Sequence, residues 1–244
     1  MSKNDQYFSN AIQLLQTVRS TQQEQIQKAA EAISASLAHG GTVFAFGTGH
    51  SHMLAEELFY RAGGLVKIYP LLDEPLMLHI NASRSSHLER LPGYAYTLLG
   101  DGPTLCPGDV MFVFSNSGRN TVSVDMAMEA KLRGLTVICI TNLAHSCSVT
   151  SRHPSGKKLY EVCDIVIDNC GVVGDAAISV GDLVCGPTST VAGAAILQSI
   201  VCRTIELMQH AGIEPEVFRS SNVDGGDELN EAYIQKYRGQ IRML

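Results

Sequence analysis

A single stretch near the middle of the chain, residues 110–142, constrains the fold most strongly. It reads VMFVFSNSGRNTVSVDMAMEAKLRGLTVICITN. Its first five residues are an apolar run of the kind that predicts a strand buried on both faces. From Thr121 the apolar residues recur at helical spacing as far as Gly134, and residues 135–141 form a second apolar run. The order strand, helix, strand predicts a βαβ unit with a right-handed crossover.

The polar turn inside this unit is the first candidate site. Residues 115–120, SNSGRN, place hydroxyl groups and unpaired backbone N–H groups at the start of the helix. The positive end of the helix dipole also lies there, so the turn favours an anion, phosphate above all.

A second glycine-rich turn, residues 47–51 (GTGHS), lies between a strand predicted over 42–46 and a helix predicted over 51–62. It lacks the third glycine of the dinucleotide-binding pattern, and a tight turn without a ligand is the alternative interpretation. Further strands are predicted over 65–72 and 163–167.

Together these elements predict an α/β fold, a doubly wound five-stranded parallel sheet of order 2-1-3-4-5 in a three-layer sandwich. Helices are predicted over 5–38, with a break and capping box at 21–24, and a long helix over 187–209. Between them lie an irregular segment over 73–108, whose polar stretch 81–90 is a candidate lid or subunit contact, a polar loop over 142–158 and a glycine-rich segment over 170–187; a tail with one helix follows. In this order both polar turns meet at the switch point of the sheet, where ligands bind.

Composition narrows the class of protein. The chain has 244 residues, 45% of them apolar, and a net charge of −6, which argues against nucleic acid as a partner. The seven cysteines have no CxxC spacing, no apolar leader opens the chain, and the apolar run 191–202 is too short to span a bilayer. We expect a cytoplasmic protein with no membrane partner. The run 191–202 is apolar nearly all round, which predicts the sheet on one side and another subunit on the other.

The two turns resemble motifs of SIS (sugar isomerase) domains. SNSGRN, the following AKLRG and TVICITN are similar to the family's phosphosugar-binding turn, GTGHS resembles its first loop, and CGPTSTVAGAAI resembles a later helix start. The resemblance covers residues 35–210 and implies an oligomer, a homodimer or homotetramer, that binds a phosphorylated sugar. The residues it implicates in binding are Gly49, His50, Ser51, Ser115, Asn116, Ser117, Gly118, Asn120, Thr121 and Ser189. Asn120 stands where the family has Ser or Thr; it can cap the helix, and Thr121 can substitute one position later.

Isomerisation of such a sugar requires an acid and a base. The candidates are Glu57 and Glu56, on the helix after the first loop, and His79 and His87, in the predicted lid. For both glutamates a solvated helix face or an ion pair with Arg61 is the alternative. No metal ligand set and no cofactor motif are found, so we predict neither.

The sequence thus predicts three parts: an N-terminal helical extension over 1–40, an SIS domain over 41–212 and a C-terminal tail over 213–244. The predicted function is that of a sugar-phosphate isomerase resembling phosphoheptose isomerase. An amino-sugar phosphate lyase or etherase, and a non-catalytic module that senses a sugar phosphate, are the alternatives.

Overall fold

The computed structural model describes residues 1–100 and 102–244, and its centre is a five-stranded parallel sheet. The strands are β1 (Val43–Gly47), β2 (Ile68–Leu71), β3 (Val110–Phe114), β4 (Thr136–Thr141) and β5 (Ile165–Asp168). Their spatial order is β2-β1-β3-β4-β5, and every neighbouring pair is parallel. The predicted sheet and its order are confirmed.

Helices surround the sheet and account for most of the remaining chain. They are α1 (Lys3–Thr21), α2 (Gln23–Ala38), α3 (His52–Leu58), α4 (Leu78–Leu88), α5 (Tyr94–Gly100), α6 (Thr121–Leu132), α7 (Leu143–Ser148), α8 (Ser189–His210) and α9 (Gly226–Tyr237). Gln22 separates α1 from α2, close to the predicted break, but the predicted capping box does not form at the start of α2. The Thr21 hydroxyl instead donates to the Thr17 carbonyl at 2.8 Å, because Thr21 still belongs to the last turn of α1.

The sheet is buried on both faces, which produces the three layers. On one face Phe44 and Met111 pack in a cluster with Val122 and Met126 of α6. On the other face Val43, Ala45 and Phe112 pack in a second cluster that includes residues of α2 and α8. Because side chains alternate along a strand, a strand between two layers is apolar at every position, as β1 and β3 are.

Four further local predictions were wrong. The segment 73–108, expected to be irregular, contains α4 and α5. The helix after the first loop stops at Leu58, because Phe59 is extended and Tyr60 has a φ of 44°. The predicted loop over 142–158 contains α7, whose start is capped by the Asn142 side chain accepting from the His145 N–H at 2.7 Å. The glycine-rich segment contains an antiparallel hairpin of β6 (Ala176–Val180) and β7 (Leu183–Pro187). This hairpin is largely exposed, so its sequence carries little of the apolar alternation that marks a strand.

The long helix α8 packs against α1, α2 and α3. By length and composition alone it could also span a membrane, a test that the core helix of a soluble protein passes as well. Its buried side includes Ile196, Leu197 and Ile200, whereas Val191 is 41% exposed. The second subunit expected on this exposed side stays a prediction.

Candidate functional site

The turn after β3 has a conformation that only glycine fits at its centre. Gly118 has a φ of +58°, in the left-handed region, and its N–H donates to the Ser115 hydroxyl at 3.2 Å. A Cβ atom here would lie 3.1 Å from Ser146 Oγ and 3.3 Å from Thr141 Oγ1. The turn is therefore closed on itself and packed against the end of β4.

Hydrogen bonds to the carbonyl groups of the turn hold it in place. Asn142 N–H donates to the Asn116 carbonyl at 3.0 Å, Leu159 N–H to the Gly118 carbonyl at 2.8 Å and Arg152 N–H to the Arg119 carbonyl at 2.9 Å. Within the described part of the chain, four N–H groups of the turn donate to no protein acceptor, those of Asn116, Ser117, Arg119 and Asn120. A turn with bonded carbonyls and free N–H groups, at the start of a helix, is suited to an anion.

The start of α6 differs in detail from the prediction. Asn120 is the N-cap residue, yet its side chain does not cap the helix. Its Oδ1 accepts from Arg152 Nη1 at 2.8 Å instead, and the Val122 N–H donates to the Glu89 carbonyl at 3.2 Å. Thr121 is fully buried, and its hydroxyl donates to the Arg152 carbonyl at 3.2 Å. The hydroxyl of Thr121 is thus already used by the protein.

The first loop is equally compact. A Cβ atom on Gly47 would lie 2.5 Å from the Ser51 carbonyl oxygen, so only glycine lets the chain turn so sharply at the end of β1. Residues 49–51 form one 3₁₀ turn that leads directly into α3. Thr48 is buried, and its hydroxyl donates to Glu89 Oε2 at 2.9 Å.

The two turns face each other across one open cleft. They do so because β1 and β3 are adjacent and in register, with Gly47 opposite Phe114, so that both turns leave the same edge of the sheet. The cleft is lined by His50, Ser51, Leu54, Ser115, Asn116, Ile140, Asn169, Ser189 and Thr190.

Five of the ten predicted binding residues line this cleft: His50, Ser51, Ser115, Asn116 and Ser189. Gly49, Ser117, Gly118, Asn120 and Thr121 lie in the same two turns or directly after them, without lining the cleft. That these residues bind a ligand stays a prediction.

Sequence reasoning missed two polar residues that line the cleft, Asn169 and Thr190, and one, Asp175, that binds the lining residue Ser189. Asn169 follows β5 and donates from Nδ2 to Asn116 Oδ1 at 2.8 Å. Thr190 is in the first turn of α8. Asp175, with a φ of +69°, accepts from Ser189 N–H at 2.8 Å and from the Ser189 hydroxyl at 2.5 Å. The carboxylate of Asp175 thus binds the first residue of α8. The hairpin that follows Asp175 in the chain brings it close to α8, and no sequence motif marks this residue.

The predicted acid and base residues lie outside the cleft lining. Glu57 forms an ion pair with Arg61 and accepts from Gln198 Nε2 at 2.9 Å. Glu56 is half exposed, and its Oε1 lies 3.6 Å from Nε2 of the buried His52. The ion pair with Arg61, foreseen as the alternative for either glutamate, is therefore present for Glu57.

The two predicted histidines are both exposed on α4. His79 lies near the first loop, with its ring centroid 6.3 Å from that of His52. Nδ1 of His87 lies 2.7 Å from the Ser83 carbonyl oxygen on the same helix. Among residues 1–100 and 102–244, no three His, Cys, Asp or Glu side chains are grouped as metal ligands would be.

Comparisons with known proteins agree with this architecture. Residues 6–142 match the SIS domain family. A UPF0309 protein of Geobacillus thermodenitrificans is 46% identical over 242 residues, which cover 98% of this chain and 97% of that protein.

Among solved structures, a phosphoheptose isomerase from Francisella tularensis has a TM-score of 0.53 and 20% identity over 85% of this chain and 100% of that one. The Vibrio vulnificus NanR protein complexed with ManNAc-6P has a TM-score of 0.53 and 19% identity over 96% and 70%. At these identities the likeness shows a common fold alone. The family match covers more than half of the chain, and the close relative covers nearly all of it; the chain therefore belongs to the SIS domain family and, within it, groups with the UPF0309 proteins.

Proposed function

We propose that the protein binds a phosphorylated sugar in the cleft between the two turns. The observation that carries the proposal is the turn 115–120: four of its six carbonyl groups accept hydrogen bonds from the protein, and within the described chain four of its N–H groups are free just before α6. The phosphate lies on these N–H groups, with Ser115 and Ser117 beside it. The sugar extends toward Ser51, Asn169 and Thr190. That SIS-fold proteins include a phosphoheptose isomerase and a complex with ManNAc-6P supports this choice of ligand.

We further propose that the bound sugar is isomerised between its aldose and ketose forms. In this reaction a base removes the proton from the hydroxyl-bearing carbon beside the carbonyl and delivers it to the former carbonyl carbon. The hydroxyl oxygen loses its proton and becomes the new carbonyl, and an acid supplies a proton to the former carbonyl oxygen. No cofactor is required. Glu56 is the preferred base, because its carboxylate is half exposed and adjoins His52, whereas the carboxylate of Glu57 is already bonded to two partners. His79 on α4 is the preferred acid.

One observation favours a second candidate, a module that binds the sugar phosphate without converting it. None of Glu56, Glu57, His79 and His87 is among the residues that line the cleft. Catalysis by these residues therefore requires α3 and α4 to move toward the ligand, and without such a movement a second subunit has to supply the groups, whereas binding requires neither.

The first experiment is a thermal-shift screen against sugar phosphates and their unphosphorylated parent sugars. A ligand present at one hundred times its dissociation constant stabilises the folded state by about 2.7 kcal/mol. We expect a shift with a sugar phosphate and none with its parent, and loss of that shift in Ser117→Ala with unchanged stability of the unliganded protein. Equal shifts with phosphorylated and parent sugars, or no shift with any, would contradict the proposed site. Conversion of the stabilising ligand, followed by NMR, then separates the enzyme from the binding module.

A further inference from the structure

Three arginines gather around the end of the phosphate turn. Arg152 donates from Nη1 to Asn120 Oδ1 at 2.8 Å, which places its guanidinium at the start of α6. Arg119 is within the turn and donates from Nη2 to Thr150 Oγ1 at 3.3 Å. Arg90 follows Glu89, whose carbonyl accepts the Val122 N–H in the first turn of α6.

The side chains of Arg119 and Arg90 are both close enough to Arg152 for their charges to act on it. Burial and the positive charges of Arg119 and Arg90 lower the pKa of Arg152, and the Glu89 carboxylate opposes this shift. That carboxylate also accepts from the Thr48 hydroxyl. Three cations beside one carboxylate leave an excess of positive charge at this position, in a chain whose net charge is −6.

Apart from the Glu89 carboxylate, which offsets part of it, the described protein does not neutralise this charge. Within the described chain, none of the three guanidinium groups lies within ion-pair distance of a carboxylate, whereas Arg61, Arg133 and Arg203 each do. Arg119 Nε is buried and has no hydrogen-bond partner. Like charges held together, with an unpaired buried donor, favour a bound anion.

We propose that Arg90, Arg119 and Arg152 form a second anion site, which binds a second acidic group of the same ligand. This inference rests on the proposed function, because the first acidic group is the phosphate on residues 115–120. Guanidinium groups bind carboxylate and phosphate oxygens in pairs, so the second group is a carboxylate or another phosphate. The ligand class is a sugar acid phosphate or a sugar bisphosphate. Arg152 touches the phosphate turn at Asn120, so a single small ligand reaches both sites.

Two pairs of probes test the second site by calorimetry: glucose 6-phosphate against 6-phosphogluconate, and fructose 6-phosphate against fructose 1,6-bisphosphate. We expect the wild-type protein to bind the member with two acidic groups, in at least one pair, ten times or more tightly than the member with one. Arg152→Gln and Arg90→Gln, both at exposed side chains, should each reduce that preference about tenfold and leave affinity for the member with one acidic group within twofold. Arg152→Lys should keep part of the preference, because it retains the charge and loses the paired donors.

The matched control is Arg133→Gln, at the other end of α6, whose partner is Glu129. It should leave the preference unchanged. Equal affinity for both members of each pair, or equal weakening of both by Arg152→Gln and Arg90→Gln, would overturn the second site and leave the first phosphate site standing. Binding of neither member of either pair would overturn the proposed function together with this inference.

Discussion

Asn169, directly after β5, donates from Nδ2 to Asn116 Oδ1 in the turn 115–120, at 2.8 Å. Asn169 is 3% exposed, and its own Oδ1 accepts the Gly171 N–H at 3.0 Å. The end of one strand thus fixes the side chain of a turn that follows another strand two positions away in the sheet. The rim of the cleft is rigid because its polar side chains bind one another across strands.

This contact makes Asn169→Asp a sensitive test of the cleft. The substitution keeps the shape, removes the donor and adds a negative charge beside the proposed phosphate. We expect affinity for a sugar phosphate to fall tenfold or more, measured by calorimetry, with a loss of stability of about 1–2 kcal/mol from the broken buried hydrogen bond. The exposed Asn222→Asp should change neither quantity. Unchanged affinity in Asn169→Asp would exclude this edge from the ligand site.

Gly118→Ala should disrupt the phosphate turn by crowding as well as by backbone strain. A left-handed alanine costs about 1–2 kcal/mol, and its methyl group would also press on Ser146 and Thr141. Gly156→Ala is the matched control, since Gly156 has a φ of +74° and no atom within 4 Å of the added carbon. Denaturant unfolding should show a larger loss for Gly118→Ala, and only that variant should lose sugar-phosphate binding. Equal losses of stability in the two variants would mean that the side chains around Gly118 move aside for the added methyl group at little cost.

The two glutamates of α3 can be separated by a pair of isosteric substitutions. Glu56→Gln should bind the sugar phosphate within twofold of wild type and lower kcat by at least a hundredfold, the range typical of a lost general base. Glu57→Gln should reduce stability slightly by removing its charge from Arg61, with kcat nearly unchanged. The reverse result would assign the base to Glu57, and full activity in both would remove α3 from the chemistry.

His153 and Asp125 form a nearly buried pair that attaches the loop after α7 to α6. His153 Nε2 lies 2.9 Å from Asp125 Oδ1, and Asp125 Oδ2 accepts the Gly93 N–H at 3.0 Å. We expect Asp125→Ala and His153→Ala each to cost about 2–4 kcal/mol. The double variant should cost clearly less than the sum, because the two substitutions remove the same contact. Additive losses in a denaturant cycle would show that the two side chains act independently.

Tyr94 provides a prediction at alkaline pH. Burial, and the hydrogen bond from its hydroxyl to Asp73 Oδ2, raise its pKa to about 12. The folded state therefore holds the phenolic proton more tightly than the unfolded state, whose tyrosines titrate near pH 10. The resulting stability is complete below about pH 10 and is lost as the pH rises toward 12. Tyr94→Phe should lower stability at pH 8 and weaken the further decline between pH 10 and 12; an unchanged decline would refute this role.

Much of the fold could be predicted because the main strands and helices each have a recognisable local sequence pattern. The strands of the sheet are short runs that are apolar at every position, and the helix between β3 and β4 has its own period and a glycine stop. The hairpin 176–187 and the helix 143–148 could not be predicted in this way. One is exposed and glycine-rich, and the other is a single capped turn and a half within a polar segment.

The sequence by itself determined the five-stranded parallel sheet, its order and the two turns at its switch point, because apolar periodicity and glycine placement act within a few residues. Only the tertiary structure decided which side chains meet at those turns. Asn169 lines the cleft, Asp175 binds Ser189 beside it, Glu57 is bonded to Arg61 and Gln198, and Arg152 contacts Asn120. Most of these contacts join residues that are far apart in sequence. Such contacts depend on where the loops that follow different strands converge, and no local sequence pattern encodes the distance between side chains on those loops.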